Sequence, residues 1–423
     1  MVIFQTDTFE RDHRLNSTMS THPKYFCPAP FNQVTVRATG RWSLCCGSVP
    51  VHSFPGGDKN IKDSGNVDEW FHSDYMRSVR EAVVNNQPLK ECTRCYNDEA
   101  QGIVSLRQRL LEEFPNPDTE KLTVEYADIK FGNKCNLRCK MCYPESSSEL
   151  MKEWQTLGWT VDDPIEGTRT DYYKGYISEN YNWPSDQKNI DNLFEMVKTV
   201  RVLKFTGGEP MINPAMFNFL DRCIQSGHAK DIVLFVTTNC TQIHPRFLEI
   251  AQQFKQLNLR LSVDGVGSTY NYVRYPGNWN QTFDNIKTYA EWYRNGQIQG
   301  KIYMNFVLSV FNLGDAVRCF RTVRPWVEDI TIKDMTRPTF MSWTHAPASV
   351  QTAARASAEQ LQNNNDALLQ QCGRTLLDCL SRRYIEPTEE SYQQLRSFVR
   401  AQDGLRGIHV HSYIPELESI LKN

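Results

Sequence analysis

The sequence lacks any long run of apolar residues. No stretch approaches the roughly 18–20 consecutive apolar residues that a membrane-spanning helix needs. Residues 1–7 already include an acidic residue and begin no sustained apolar segment, so they do not resemble a secretory signal. We therefore expect a cytoplasmic protein that does not enter a membrane.

Excess charge of either sign is also missing. The chain has 47 basic and 49 acidic residues, for a formal net charge of -2. Near-neutrality argues against a nucleic-acid partner and against a polybasic membrane surface. No internal repeat or low-complexity segment is present, and 423 residues predict a globular protein of about two or three domains.

Cysteine is abundant, with thirteen residues. Without an export signal, this number indicates metal binding or catalysis in a reducing compartment rather than a disulfide framework. Three of the cysteines, Cys135, Cys139 and Cys142, form a C-x3-C-x2-C array after an alternating apolar run that predicts a strand. Three thiolates can hold three irons of a [4Fe-4S] cluster and leave the fourth iron open for chemistry. A zinc site usually has paired C-x2-C units with four ligands in total, so zinc is the weaker alternative.

Downstream of this array, helical and strand patterns alternate, which predicts a parallel sheet. The strand candidates are 200–205, 231–237, 257–263, 301–310 and 329–332, in addition to the strand before Cys135. Reactive groups of parallel barrels gather at the carboxyl ends of the strands. Polar or glycine-containing segments follow these strands: Thr206-Gly207-Gly208-Glu209-Pro210, Thr238-Asn239, and Ser262 with Asp264.

The array, with Met141 as the bulky residue before its last cysteine, resembles the CxxxCxΦC signature of the radical S-adenosylmethionine (SAM) superfamily. The Gly-Gly-Glu-Pro segment resembles the motif that receives the SAM amino group in that family. The resemblance implies a partial (β/α)6 barrel and a [4Fe-4S] cluster on Cys135, Cys139 and Cys142. It also implies that SAM is cleaved to a 5′-deoxyadenosyl radical that abstracts hydrogen from a substrate. The implied SAM-binding residues are Met141, Tyr143, Thr206, Gly207, Gly208, Glu209, Pro210, Thr238, Asn239, Ser262, Asp264, Asn305 and Val307.

A second group of cysteines lies before the barrel. Two strand-like segments joined at Gly40 predict a hairpin that should bring Cys27 and Cys45 together. A helical segment at 70–84 then leads to Cys92-Thr93-Arg94-Cys95. Four converging thiolates satisfy either tetrahedral zinc or a fully ligated [4Fe-4S] cluster. Cys46 competes with Cys45 for the second ligand position.

The spacing of Cys27, Cys45, Cys92 and Cys95, with the tail from Cys95 to Gly102, resembles that of the SPASM/twitch auxiliary modules of radical SAM enzymes. It departs from them in preceding the barrel and in lacking a later C-x5-C-x3-C run. The resemblance implies one twitch-like auxiliary [4Fe-4S] cluster on Cys27, Cys45, Cys92 and Cys95, with zinc as the alternative.

We predict four regions: an arm (1–24), an auxiliary module made of a hairpin and a helix (25–120), the barrel (121–335) and a helical C-terminal region (336–423). The barrel carries an aromatic-rich insert at about 145–198, which either contacts substrate or covers extra helices. Its aromatic residues are Trp154, Trp159, Tyr172, Tyr173, Tyr176, Tyr181 and Trp183. In the C-terminal region, Cys372 and Cys379 are either buried core residues or, as in radical epimerases, hydrogen-atom donors. His409 and His411 are placed on a short strand.

The auxiliary module and the barrel together resemble enzymes that oxidise or crosslink side chains of peptides or proteins. The resemblance implies the auxiliary cluster as electron acceptor and a flavodoxin- or ferredoxin-type reductant. A radical SAM dehydrogenase or rearrangement enzyme acting on a small metabolite or nucleotide is the alternative. A non-catalytic iron–sulfur electron carrier or redox sensor is a second alternative, which the Gly-Gly-Glu-Pro segment disfavours because an electron carrier needs no SAM pocket.

Overall fold

The computed structural model describes residues 22–48, 59–63, 66–100, 102–159, 181–382 and 385–421. Nearly all of the predicted arm lies outside these ranges, as do Tyr172, Tyr173 and Tyr176 of the predicted insert.

Strands and helices alternate through most of the described chain, which gives an α/β fold. The strands are β1 Gln33–Val36, β2 Trp42–Ser43, β3 Tyr126–Ile129, β4 Val202–Phe205, β5 Val233–Thr238, β6 Gln256–Ser262, β7 Ile302–Leu308 and β8 Asp329–Asp334. The helices are α1 Ala29–Asn32, α2 Val67–Phe71, α3 Asp74–Val84, α4 Thr93–Ala100, α5 Leu106–Glu113, α6 Ser148–Thr156, α7 Gln187–Phe194, α8 Pro214–Gln225, α9 Phe247–Ala251, α10 Gly267–Val273, α11 Trp279–Arg294, α12 Ala316–Val323, α13 Ala348–Gln362, α14 Ala367–Ser381, α15 Glu389–Arg406 and α16 Glu418–Leu421. All six strands predicted for the barrel are confirmed, as β3 to β8.

The chain divides into two compact units. The first comprises 1–132, 180–206 and 215–234, and the second comprises 133–179, 207–214 and 235–423.

The first unit holds a mostly parallel sheet. β1 and β2 form the predicted antiparallel hairpin, with Thr35 opposite Ser43, and the turn contains Gly40 at a φ of +84°. β1 also pairs in parallel with β3, and β3 pairs in parallel with β4. The hairpin therefore extends the sheet that contains β3 and β4.

The aromatic side chains of the first unit form its core. Phe131 stacks on Trp183 at 5.5 Å and on Phe205 at 5.8 Å between ring centroids. The Trp183 indole N–H donates to the Ala38 carbonyl at 3.1 Å. Trp183, a residue of the predicted insert, thus packs against Phe131 and is hydrogen-bonded inside the first unit.

The second unit contains the parallel strands β6, β7 and β8, with Ser262 opposite Asn305 and Leu308 opposite Asp334. Trp159 of the insert stacks on Phe398 of α15 at 5.4 Å, so it covers that helix.

The helical C-terminal region is confirmed by α13, α14 and α15. Cys372 and Cys379 are both buried within α14, and the Cys379 thiol is hydrogen-bonded to Asp334. The predicted strand at His409 and His411 is wrong. The chain forms a 3-10 turn there because the Tyr413 N–H bonds back to the Val410 carbonyl at 3.0 Å.

Candidate active site

The three cysteines of the C-x3-C-x2-C array lie on one loop of the second unit, residues 133–143, which we call the cysteine loop. The loop is tightly turned, since the Cys142 N–H donates to the Cys139 carbonyl at 3.1 Å. Cys139 is buried, whereas Cys135 and Cys142 are partly buried. Burial raises the pKa of the Cys135 thiol to about 12 and also raises the pKa of Cys139, and the Cys142 thiol adds to both shifts. Metal binding to this loop must therefore displace thiol protons.

Side chains from later elements hold the cysteine loop. The Asn136 amide donates to Thr241 Oγ1 at 2.8 Å and accepts from Asn239 Nδ2 at 2.9 Å. The Cys135 N–H donates to Ser148 Oγ, at the start of α6, at 3.2 Å. Asn239 follows β5, so the end of that strand fixes the loop directly.

Glu209 is 1% exposed, and its carboxylate accepts three hydrogen bonds. The donors are the Met211 N–H at 2.9 Å, Thr238 Oγ1 at 2.7 Å and the Asn239 N–H at 2.6 Å. Burial raises the pKa of Glu209 to about 7, and these donors act in the opposite direction because they stabilise the charged form. The structure thus brings together three residues that the sequence assigned to SAM.

The two glycines before Glu209 bring its backbone against the cysteine loop. Gly207 has a φ of +109°, which favours glycine. A Cβ at Gly208 would lie 2.0 Å from the Lys134 carbonyl oxygen, and the Glu209 N–H donates to that same oxygen at 2.7 Å. The Lys134 backbone therefore lies directly against Gly208.

Asp264 and Arg274 form a buried ion pair beside the cysteine loop. Arg274 Nη2 lies 2.5 Å from Asp264 Oδ2, and Nη1 lies 3.9 Å from Cys139 Sγ. Burial alone lowers the pKa of Arg274, but Asp264 and the nearby thiol outweigh this and raise it. Arg274 is not among the site residues that were predicted from the sequence.

Three of the predicted SAM-binding residues, Ser262, Asn305 and Val307, lie on β6 and β7. Ser262 is opposite Asn305 in the register, and the Val307 N–H donates to Asp264 Oδ1 at 2.7 Å. Two buried polar atoms, Arg274 Nε and Asn305 Oδ1, have no hydrogen-bond partner within the described ranges. A polar cofactor bound here would supply partners to such atoms.

The remaining predicted SAM-binding residues are Met141, Tyr143, Pro210 and Thr206. Met141 and Tyr143 are partly exposed on the cysteine loop, and Pro210 is buried directly after Glu209. Thr206 belongs to the first unit, where its hydroxyl lies 3.2 Å from Asp128 Oδ1.

Cys27, Cys45, Cys92 and Cys95 of the first unit lie near enough to influence one another electrostatically, and we call them the second thiol group. Cys27 and Cys45 pack in one apolar cluster with Leu110. Burial raises the pKa of Cys27 to about 12, and Cys92 and Cys95 raise it further. Burial likewise raises the pKa of Cys45, and the neighbouring Cys46 adds to this shift, followed by Cys27, Cys92 and Cys95.

Cys46 has a different neighbour. Lys204 Nζ lies 3.8 Å from Cys46 Sγ and 2.6 Å from Asp128 Oδ2. The two adjacent cysteines, which the sequence could not distinguish, thus have distinct environments.

Arg107 lies beside this thiol group and was not among the residues predicted from the sequence. Its guanidinium bonds to both Glu99 oxygens, at 2.9 and 2.5 Å, and to the Phe26 carbonyl at 2.9 Å. Its charge lowers the pKa values of Cys27 and Cys95 against the larger effect of burial. The one signal in the sequence for a paired cation here is the carboxylate of Glu99, in the Cys95–Gly102 tail.

Within the described ranges, no group of three or more His, Cys, Asp or Glu side chains is arranged to hold a metal ion as the structure stands. No helix in the same ranges is long and apolar enough to cross a membrane.

Residues 129–309 match the family described as the Radical SAM superfamily. The matched segment is less than half of the chain. An uncharacterized protein of Methanocaldococcus jannaschii is 24% identical over 165 residues, which are 38% of this chain and 45% of that protein.

Among solved structures, Streptococcus suis SuiB bound to S-adenosylmethionine is 12% identical, with a TM-score of 0.33, over 77% of this chain and 64% of that chain. The structure of anSMEcpe with bound AdoMet is 15% identical, with a TM-score of 0.32, over 56% of this chain and 60% of that chain. The chain spans less than two thirds of each of these proteins.

Proposed function

We propose that this protein is a radical SAM enzyme in which Cys135, Cys139 and Cys142 hold a [4Fe-4S] cluster next to SAM. When bound and reduced, this cofactor pair supplies a 5′-deoxyadenosyl radical that abstracts hydrogen from a substrate. The supporting observation is the bond from the Glu209 N–H to the Lys134 carbonyl, which joins the Gly-Gly-Glu-Pro turn to the cysteine loop.

The protein's own residues bind and orient the cofactor in this proposal. Glu209 presents a buried carboxylate for an ammonium group, and hydrogen bonds from Thr238 and Asn239 fix its orientation. Arg274 Nε and Asn305 Oδ1, both buried and unpartnered within the described ranges, offer a donor and an acceptor to polar groups of SAM.

The second thiol group holds an auxiliary cluster in this proposal, with Cys27, Cys45, Cys92 and Cys95 as ligands. Four protein ligands leave no iron open, which favours electron transfer over substrate binding. The proposed substrate is a peptide or protein side chain that is oxidised or crosslinked, and the support for it is the resemblance of these cysteines to auxiliary modules. A flavodoxin- or ferredoxin-type protein of the cytoplasm is the proposed reductant.

The proposal is tested on anaerobically reconstituted protein and on a Cys135/Cys139/Cys142→Ala triple variant. Iron and sulfide content, EPR of the reduced protein and 5′-deoxyadenosine formed with dithionite and SAM are measured. We expect about eight irons per chain in the wild type, about four in the variant, and 5′-deoxyadenosine only from the wild type.

Two results would contradict parts of this proposal. An iron-loaded wild type that forms no 5′-deoxyadenosine would favour an electron carrier or redox sensor. About four irons in the wild type and none in the variant would remove the auxiliary cluster and leave zinc as the alternative for the first unit.

A further inference from the structure

Lys140, directly after Cys139 in the cysteine loop, is a buried lysine that the proposed chemistry does not use. It is 1% exposed, and its Nζ lies 2.7 Å from Asp403 Oδ1 on α15. The Tyr272 hydroxyl lies 3.1 and 3.2 Å from the two Asp403 oxygens. Lys140 Nζ also lies 4.5 Å from the centre of the Tyr272 ring. The ammonium group is therefore held by a hydrogen-bonded carboxylate and an aromatic face.

The same helix makes a second contact, on the other side of Cys139. Arg406 Nη2 donates to the Arg138 carbonyl at 2.8 Å. Its guanidinium also bonds to both oxygens of Glu153 on α6, at 2.8 and 2.6 Å. Gln402 donates to the same carboxylate at 2.9 Å.

These contacts hold the residues on both sides of one cysteine. Arg138 and Lys140 flank Cys139, and their backbone N–H groups donate to the Tyr275 and Val273 carbonyls at 2.6 and 2.8 Å. With the backbone fixed before and after Cys139, the position of its Cβ, from which the thiol projects, is fixed as well. Groups that orient metal ligands from outside commonly change metal affinity 10- to 100-fold when they are removed.

We propose that Asp403 and Arg406 of α15 are positioning residues for the cluster-binding loop, and that α15 is thereby part of the cluster site. This inference rests on the proposed function, because it takes the cysteine loop to hold the [4Fe-4S] cluster. Asp403 acts through Lys140, and Arg406 acts through the Arg138 carbonyl and Glu153.

The test compares reconstituted wild type with Asp403→Asn and with the matched control Glu389→Gln. Glu389 lies on the same helix, pairs with Arg396 and is exposed, so its substitution removes a carboxylate far less buried than Asp403. We measure how fast an iron chelator removes the SAM-responsive EPR signal. We also measure the temperature at which the iron-free proteins unfold. We expect Asp403→Asn to lose the signal at least about tenfold faster than wild type, and Glu389→Gln to match wild type.

A double variant, Lys140→Met/Asp403→Asn, separates positioning from folding. It removes both charges, leaves no buried ion unpaired and keeps an acceptor oxygen for the Tyr272 hydroxyl, so the iron-free protein should unfold near the wild-type temperature. Fast loss of the EPR signal from this stable protein is the expected result, together with an altered response of the spectrum to SAM.

Retention of the signal at the wild-type rate by Asp403→Asn or by the double variant would overturn the inference. Equally fast loss from Glu389→Gln would also overturn it, because the effect would then be general destabilisation. A wild type that shows no SAM-responsive signal would instead refute the proposed function itself.

Discussion

Arg274 and Asp264 form an ion pair inside the second unit, with Arg274 Nη2 2.5 Å from Asp264 Oδ2. Asp264 is fully buried, and the same guanidinium reaches the Cys139 thiol. One arginine therefore connects the end of β6 to the cysteine loop.

Replacing Arg274 by glutamine should leave the Asp264 carboxylate buried without its counter-charge. Breaking a buried pair in this way costs about 3–5 kcal/mol. We expect a matching loss of unfolding free energy in urea and weaker SAM binding by the reconstituted protein. Arg77→Gln is the control, since it breaks an exposed pair with Asp74 and should cost less than about 1 kcal/mol. Equal stability of the two variants would contradict the importance given to the buried pair.

An alanine at Gly208 should push the Gly-Gly-Glu-Pro turn away from the cysteine loop. Its Cβ would lie 2.0 Å from the Lys134 carbonyl oxygen, and the backbone has to move to relieve this overlap. We expect a loss of about 1–3 kcal/mol in unfolding free energy, the usual cost of overpacking. Gly404→Ala, where nothing lies within 4 Å of the added methyl, should instead gain about 0.5–1 kcal/mol because it lies inside a helix. Denaturant unfolding of both variants tests the difference, and a neutral Gly208→Ala would contradict the close approach.

The two adjacent cysteines of the hairpin should behave differently. Cys45 is influenced by Cys27, Cys92 and Cys95, whereas Cys46 lies near Lys204. We expect Cys45→Ala to lose about four irons per chain and Cys46→Ala to keep the wild-type content. Iron analysis after anaerobic reconstitution decides the point, and the reverse pattern would assign the ligand to Cys46.

Acid should destabilise the fold through His345. Burial lowers the pKa of His345 from 6.5 to about 4, and its Nε2 lies 2.7 Å from Ser391 Oγ. Between these pH values the unfolded chain binds a proton that the folded chain does not, so this part of the stability is lost as pH falls from about 6.5 to 4. A His345→Gln variant should lose less stability than wild type over that range. Urea unfolding of both proteins at several pH values measures this difference in stability. An identical pH dependence of the two proteins would exclude His345 as a source of the acid sensitivity.

Local sequence patterns predicted the strands and the cysteine array well. Apolar alternation and the βαβ rhythm depend on neighbouring residues, so β3 to β8 could be located without tertiary information. The Gly-Gly-Glu-Pro segment was placed correctly beside Thr238 and Asn239 because strand ends meet at one edge of a parallel sheet.

Side-chain contacts between distant segments could not be predicted in this way. The bonds between Asn136 and Asn239 and between Arg274 and Asp264 depend on side-chain directions that no spacing encodes. At His409 and His411 a local pattern gave a wrong prediction. The alternating residues suggested a strand, whereas one backbone hydrogen bond closes a 3-10 turn there.

The bond from Lys140 to Asp403 joins residues 263 positions apart in the chain. The three thiols therefore leave the ribosome long before the helix that holds their loop has been translated. Until Asp403 and Arg406 are made, Lys140 has no carboxylate from α15 and the Arg138 carbonyl has no arginine to bind. The loop can therefore acquire all of its contacts with α15 only after residue 406 has been synthesised.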